Sequence, residues 1–455
     1  GKTTIVCALL KALKNRGLRT GAFKCGPDYI DPMFHNSVTG VPCSNLDSFF
    51  FDSDTLKYLL VRNGAGREIN VIEGVMGYYD GLHFDGVRGS TYELGRITDS
   101  PVILVVNAKG AGLSALAEVY GFLHFHELFS GQQGGLPEGA EPDKAPAPAA
   151  GVIFNQCTEM TYQLLRKAVQ ERFGGSIRAL GYLPVMKESR LESRHLGLVT
   201  AGEVEDLQEK VELLAQQAEQ SIELDQILEL AEGAPPVCCR ARHIDRFSEP
   251  VRIAVARDRA FCFYYEDSLQ LLADLGAELI PFSPLEDASL PEKIGGLYLG
   301  GGYPELYTEQ LSRNAAMRTA IRCALEQHLP CIAECGGFMY LNEMIEDAPM
   351  AGYLKGTCRN TGTLRRFGYV TLTAQTDNLL CRAGESIPAH EFHYWDADDT
   401  GHGFLARKPS GREWECVHAS KWLYAGFPHF HFYANPRFAE RFYRACLEYH
   451  GAEGR

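Results

Sequence analysis

A chain of 455 residues that is 45% hydrophobic and 22% charged has apolar material for two cores, since a single core stops growing near roughly 250–300 residues. Its net charge of −14 excludes a general nucleic-acid binder, which needs a basic surface for phosphate, and its apolar runs fall short of the ~18–20 residues that span a bilayer. Fourteen cysteines at irregular spacing in so long a chain read as the reduced thiols of a cytoplasmic protein, and with no C-x-x-C pair they offer no zinc site.

The chain opens on Gly1-Lys2-Thr3-Thr4, which fits the end of the phosphate loop G-x-x-x-x-G-K-[ST]. In that loop backbone N–H groups cradle phosphates, the lysine reaches the β- and γ-phosphates, and the first hydroxyl residue holds Mg2+. Because the first residue is not Met, the start of the loop and the strand before it are expected upstream of Gly1. A helix is predicted over 3–15, then strands over 20–24, 69–75, 102–106, 152–155 and 177–183, separated by helical stretches. Short β-rich runs alternating with helices mean a parallel sheet.

Two segments at predicted strand ends are dense in chemistry. Lys24-Cys25-Gly26-Pro27-Asp28-Tyr29-Ile30-Asp31-Pro32 sets two acids, a tyrosine and a lysine where α/β folds bind ligands. Val71-Ile72-Glu73-Gly74 puts a carboxylate where a phosphate-loop fold needs a second magnesium anchor. The glycines of the 73–81 run, which ends in Asp80-Gly81, permit close backbone approach to a ligand. From 130 to 150 periodicity disappears in a Gly-, Pro- and Ala-rich run, predicted as a mobile insertion without chemistry. Around Arg190, Arg194 and His195 a mixed-charge segment reads either as a solvated loop or as a face for an anionic ligand.

Apolar residues recur at helical spacing over 202–232, and Gly233-Ala234-Pro235-Pro236 breaks the pattern, marking a domain boundary. Domains are therefore expected over 1–232 and 250–455. The second begins with a strand over 251–256, a helix over 268–275, strands over 277–281 and 296–299, and a helix over 315–326. A strand over 331–333 follows and runs straight into Ala333-Glu334-Cys335-Gly336-Gly337. Strand, sharp turn and helix describe a nucleophile elbow, whose helix N-terminus stabilises a thiolate. Leu299-Gly300-Gly301-Gly302 could supply an oxyanion hole, and His429 or His431, near the end of a late strand, a base. Alternation along a strand puts both histidines on one face, so spacing does not choose between them. More strands and a helix over 436–449 complete the chain.

Together these motifs, with Arg194-His195-Leu196-Gly197-Leu198-Val199, the 256–265 run, Leu299–Glu305 and His390-Glu391-Phe392-His393-Tyr394, resemble the cobyrinate a,c-diamide synthase family. The resemblance runs through almost the whole chain; Ala389 departs from it, standing where glycine is expected. It implies a phosphate-loop NTPase-like N-terminal domain, similar to dethiobiotin synthetase, and a C-terminal α/β domain of the class I glutamine amidotransferase type. It implies glutamine-dependent amidation of two carboxylates of a corrin precursor through an acyl phosphate. The implied partners are cobyrinate, L-glutamine and ATP, with neither nucleic acid nor membrane, and a homodimer is admitted. By motif position, Gly1, Lys2, Thr3 and Thr4 fall on the nucleotide, Thr3, Asp31 and Glu73 on Mg2+, and Asp28, Tyr29, Asp31, Glu73 and Asp80 among the catalytic residues. Cys335 falls on the nucleophile. His429 is the favoured base because the related base follows an aromatic and one intervening residue, as in Phe427-Pro428-His429. Cobyric acid synthase, hydrogenobyrinate or nickel-sirohydrochlorin diamide synthases, and a nucleotide-dependent partition protein with an inert second domain are the alternatives.

Overall fold

Helix α1 (Lys2–Asn15) is apolar on nearly every side because it lies between layers. Ile5, Ala8 and Leu9 pack with Ile153 and Leu180, while Val6 and Leu10 pack with Ala22. A helix apolar all round is a core helix. The computed structural model describes residues 1–82, 86–129, 149–189 and 201–453, and the chain divides into two units, Gly1–Ala241 and Arg242–Arg455.

In the first unit β1 (Thr20–Cys25), β2 (Cys43–Leu46) and β3 (Ile69–Glu73) form a parallel sheet in the order β2-β1-β3. A second parallel sheet has the order β4 (Val102–Asn107), β5 (Ala149–Asn155), β6 (Arg178–Leu183). Parallel pairing agrees with the sequence, but the described strands make two sheets, with α1 packed on both. The central strand β1 is buried along its whole length, as a two-face-covered parallel strand must be. β2 escapes sequence detection because Cys-Ser-Asn-Leu has no β-branched residue; its pairing with β1 holds it. β3 stops at Glu73, where its pairing with Lys24 ends. The helical stretch after residue 200 is two helices, Ala201–Ser221 and Leu224–Glu232, broken where Ile222 bridges Gly181.

The second unit is built on a sheet in the order His418–Ala419, Leu423–Gly426, Cys331–Glu334, Gly296–Leu299, Val251–Ala256, Ala277–Phe282. Only the edge strand His418–Ala419 is antiparallel. Its core joins Leu299, Ala333, Phe338, Met339 and Tyr340, so the strand ends that carry Gly300 and Cys335 are anchored in packed apolar side chains. A long antiparallel hairpin, Thr357–Ala374 with Ser386–Ala397, pairs along its second strand with His429–Phe430. None of the fourteen cysteines is in a disulfide. Among the described residues no helix is long and apolar enough to cross a membrane.

Candidate active sites

In the first unit the parallel register sets Lys24 beside Glu73, and α1 brings Thr3 against the same carboxylate. Oε1 of Glu73 accepts from Thr3 Oγ1 at 2.7 Å and from Lys24 Nζ at 3.0 Å. Lys24 also donates to Asp31 Oδ2 at 2.5 Å. On its other oxygen Glu73 faces Nε2 of the buried His35 at 2.8 Å. Burial alone would raise the Glu73 pKa, but the His35 hydrogen bond, the Lys24 charge and Thr3 hold it at about 2. Burial likewise opposes the Lys24 charge, and Glu73 and Asp31 outweigh it, keeping its pKa above the usual lysine value. The ammonium here balances a pair of carboxylates in a largely enclosed site.

Asp28 stands beside this cluster and is pushed up to about 6, first by burial and then by Asp31. Its Oδ1 accepts from Ile30 N at 2.8 Å, and Asn45 Nδ2 donates to the carbonyls of Gly26 and Asp28, pinning the turn. Tyr29 is buried at the start of α2 (Ile30–Phe34). Lys2 Nζ donates to Met76 O at 2.6 Å, across the mouth of the 73–81 loop. Gly1 caps α1 with its carbonyl, accepting from Ile5 N at 3.3 Å.

The structure thus gathers Thr3, Lys24, Asp31 and Glu73, with Asp28 adjoining. It places Asp80 differently: Oδ2 accepts from Gly77 N at 2.8 Å and closes the loop on itself. His35, Cys7 and Asn45 belong to the cluster without having been singled out from sequence. Arg190, Arg194, His195 and residues 130–148 lie outside the described residues. Hard oxygen donors from Thr3, Asp31 and Glu73 suit Mg2+. Among the described residues no group of three His, Cys, Asp or Glu is placed to form a metal cage.

In the second unit the strand Cys331–Glu334 delivers Cys335 with φ 47° and ψ −100°, followed at once by the helix Gly336–Leu341. For a residue with a Cβ this backbone is strained, and the surrounding bonds impose it. Cys335 N donates to Gly426 O at 2.7 Å, Gly337 N to Gly300 O at 3.0 Å, and Gly300 N to Tyr264 Oη at 2.8 Å. The Gly300–Gly302 loop presses on both sides of the site. A Cβ at Gly301 would sit 2.5 Å from His429 Cε1, and one at Gly336 would sit 3.1 Å from Gly302 N.

Glu334, one residue before the cysteine, is fully enclosed. Its Oε1 accepts from Tyr298 Oη at 3.0 Å, and its Oε2 lies 3.0 Å from His429 Nδ1. Burial raises the Glu334 pKa while His429 pulls against it. Burial also pushes the Cys335 thiol up, as does Glu305, against the pull of the Gly336 N–H. Burial therefore works against the thiolate expected at a helix end, and a neighbouring base would assist attack. Glu305 is itself pushed up to about 7 by burial.

The two histidines differ in their surroundings. The strand ends at Phe430, and His431 leaves it as the cap of a 3-10 turn, its Nδ1 accepting from Tyr433 N at 3.2 Å. Its ring packs on Tyr265 at 4.9 Å, and burial lowers its pKa to about 3. Geometry thus puts His429 with Glu334 and the glycine loop, and His431 in the core.

Residues 1–199 match the CobQ/CobB/MinD/ParA nucleotide binding domain, and residues 252–436 match the CobB/CobQ-like glutamine amidotransferase domain. The chain is 38% identical, over 98% of its length and 95% of the relative's, to a cobyrinate a,c-diamide synthase of Dehalococcoides mccartyi. It is 39% identical to one of Listeria innocua, over 96% of this chain and 94% of the relative. With one of Clostridium acetobutylicum it shares 38%, over 98% of this chain and 97% of the relative. A nucleotide-binding half, a glutaminase-type half and relatedness along nearly the whole length agree: the chain belongs to the cobyrinate a,c-diamide synthase family.

Proposed function

We propose that the protein amidates the a and c side-chain carboxylates of cobyrinate, using ATP and glutamine, in cobalamin biosynthesis. Residues 1–232 are assigned the amidoligase step and 250–455 the glutaminase step. The observation that carries the reading is the presence, in a chain of this family, of a Thr3–Glu73 contact at the phosphate-loop helix together with a Glu334-bound His429 in the unit of the strained Cys335.

In the glutaminase step His429 Nε2 takes the Cys335 proton, the sulfur attacks the side-chain amide carbon of glutamine, and ammonia leaves with a proton returned by His429. Water then cleaves the thioester to glutamate. The N–H groups of Gly302 and Gly336 are suited to the oxyanion. In the amidoligase step a carboxylate oxygen of the corrin attacks the γ-phosphorus of ATP, ADP leaves, and ammonia displaces phosphate from the acyl phosphate, giving the amide. Lys2 and the α1 N-terminus hold phosphate oxygens; Lys24 balances charge near the transferring group. Thr3, Asp31 and Glu73 would hold Mg2+, which when bound neutralises charge on the phosphates. Asp28, Tyr29 and Asp80 are assigned to the corrin side.

Incubation with amide-15N glutamine, ATP and, separately, cobyrinate, hydrogenobyrinate or nickel-sirohydrochlorin tests this. The expected result is two labelled amides, two ADP and two glutamates per cobyrinate. Preference for another macrocycle would reassign the substrate, and absence of glutamate release would leave a binding protein.

A further inference from the structure

Glu73 is held at both ends of its carboxylate, and the second hold reaches back to α1. Oε1 takes hydrogen bonds from Thr3 and Lys24, while Oε2 lies 2.8 Å from His35 Nε2. A carboxylate so engaged is ionised and acceptor-only, so Nε2 of His35 carries the proton and donates. On the other side of the ring, Nδ1 lies 3.8 Å from Cys7 Sγ. In the tautomer with its one ring proton on Nε2, Nδ1 is an acceptor that faces the Cys7 thiol.

The ring has little freedom to do otherwise. His35 is 0% exposed. Its neighbour Phe34 meets it edge to face at 6.3 Å, and Cys7, Phe34, Val38 and Val211 close one apolar cluster around the site. It also opens the π-helical turn His35–Thr39, a wide turn rarely kept except where a side chain must be aimed. Thr3 and Cys7 are four residues apart, one turn of the same helix face. One rigid helix therefore fixes Glu73 twice, directly through Thr3 and indirectly through Cys7 and His35.

Resting on the magnesium site read above, we propose that His35, locked as the Nε2–H tautomer by the Cys7 thiol, is a positioning residue that aims Glu73 at Mg2+·ATP. Outer partners of this kind typically change metal affinity by about 10–100-fold.

The test combines 15N-histidine NMR of the whole protein with Mn2+ binding in the presence of ATP, read by electron paramagnetic resonance. The His35 signal, identified by its loss in His35→Gln, is expected to show Nε2 protonated and Nδ1 bare. In Cys7→Ala that signal is expected to move toward a tautomer mixture. A wild-type ring protonated at Nδ1 would overturn the proposal, whether or not any variant folds. His35→Ala is expected to weaken Mn2+ binding about 10-fold or more, and His35→Gln, whose amide can donate to Glu73, to recover most of it. Unchanged Mn2+ affinity in His35→Ala, with binding lost in Glu73→Gln, would sink the positioning role alone. Unchanged affinity in Glu73→Gln would remove the metal-site reading beneath it.

Discussion

Nδ1 of His429 meets Oε2 of Glu334 at 3.0 Å across 95 residues of chain, and the partner is the residue that precedes the nucleophile. Because a carboxylate only accepts, His429 donates from Nδ1 and keeps the Nε2 lone pair for a proton. Glu334→Gln offers an amide that can present its N–H to the ring and favour the wrong tautomer. Its glutaminase kcat is expected to fall about 10²–10⁴-fold, while amidation from ammonium chloride stays within a few-fold. Parallel assays with the two nitrogen donors check this.

Cys335→Ser should lose glutamine-driven amidation by a factor of about 10³ or more and keep the ammonia-driven reaction. Equal loss with both donors would refute the separation of the two chemistries.

His429→Ala is expected to abolish glutamate release, whereas His431→Ala should act mainly through stability; both rings are enclosed, so both variants should lower the urea midpoint. Glutaminase rates beside urea midpoints separate the two effects. An active His429 variant beside a folded, inactive His431 variant would reverse the assignment.

Acid should loosen the second unit partly through His431. Its folded pKa is depressed to about 3 by burial, against about 6.5 for an unfolded histidine. Between these values the unfolded chain binds a proton that the folded chain refuses. The neutral ring's stabilisation is thus whole above pH ~6.5 and is lost as pH falls toward 3, by up to ~1.4 kcal/mol per pH unit. His431→Gln should flatten that slope in urea unfolding at a series of pH values.

Asp28 sets stability against use. Its pKa is raised to about 6 by burial and Asp31, so the penalty for ionising it in the fold grows above the unfolded value of ~3.9 and is complete by neutral pH. Asp28→Asn should stabilise the protein at pH 7 by about 1–2 kcal/mol, discounted for partial exposure. The same variant should lose amidation by about 10²-fold or more. Unfolding at pH 4, where folded Asp28 is protonated and the unfolded one about half so, should show little difference.

What could be read from sequence was local. The Cys335 elbow is a contiguous strand, turn and helix, and β1 and β3 carry Lys24 and Glu73 at their C-terminal ends, so their motifs survive without tertiary knowledge. Glu334 was visible only as part of the cysteine motif, because the histidine it holds lies far along the chain. His35 was missed for the same reason: its partners Cys7 and Glu73 are 28 and 38 residues away, and a lone histidine after Asp31-Pro32-Met33-Phe34 carries no signal of its own. Spacing left the histidine pair open, because only the folded chain shows that Glu334 faces one ring and Tyr265 the other.

The positive φ of Cys335 also bears on how an inert form should be made. Alanine there removes the thiol but keeps a Cβ in a conformation that disfavours it; glycine removes both. Cys335→Gly should accordingly be the sturdier of the two dead proteins by about 1 kcal/mol, and the better vehicle for trapping intact glutamine. A copy of this domain released from hydrolysing glutamine would gain by drifting to glycine, which makes a cysteine retained at this angle a mark of a working enzyme.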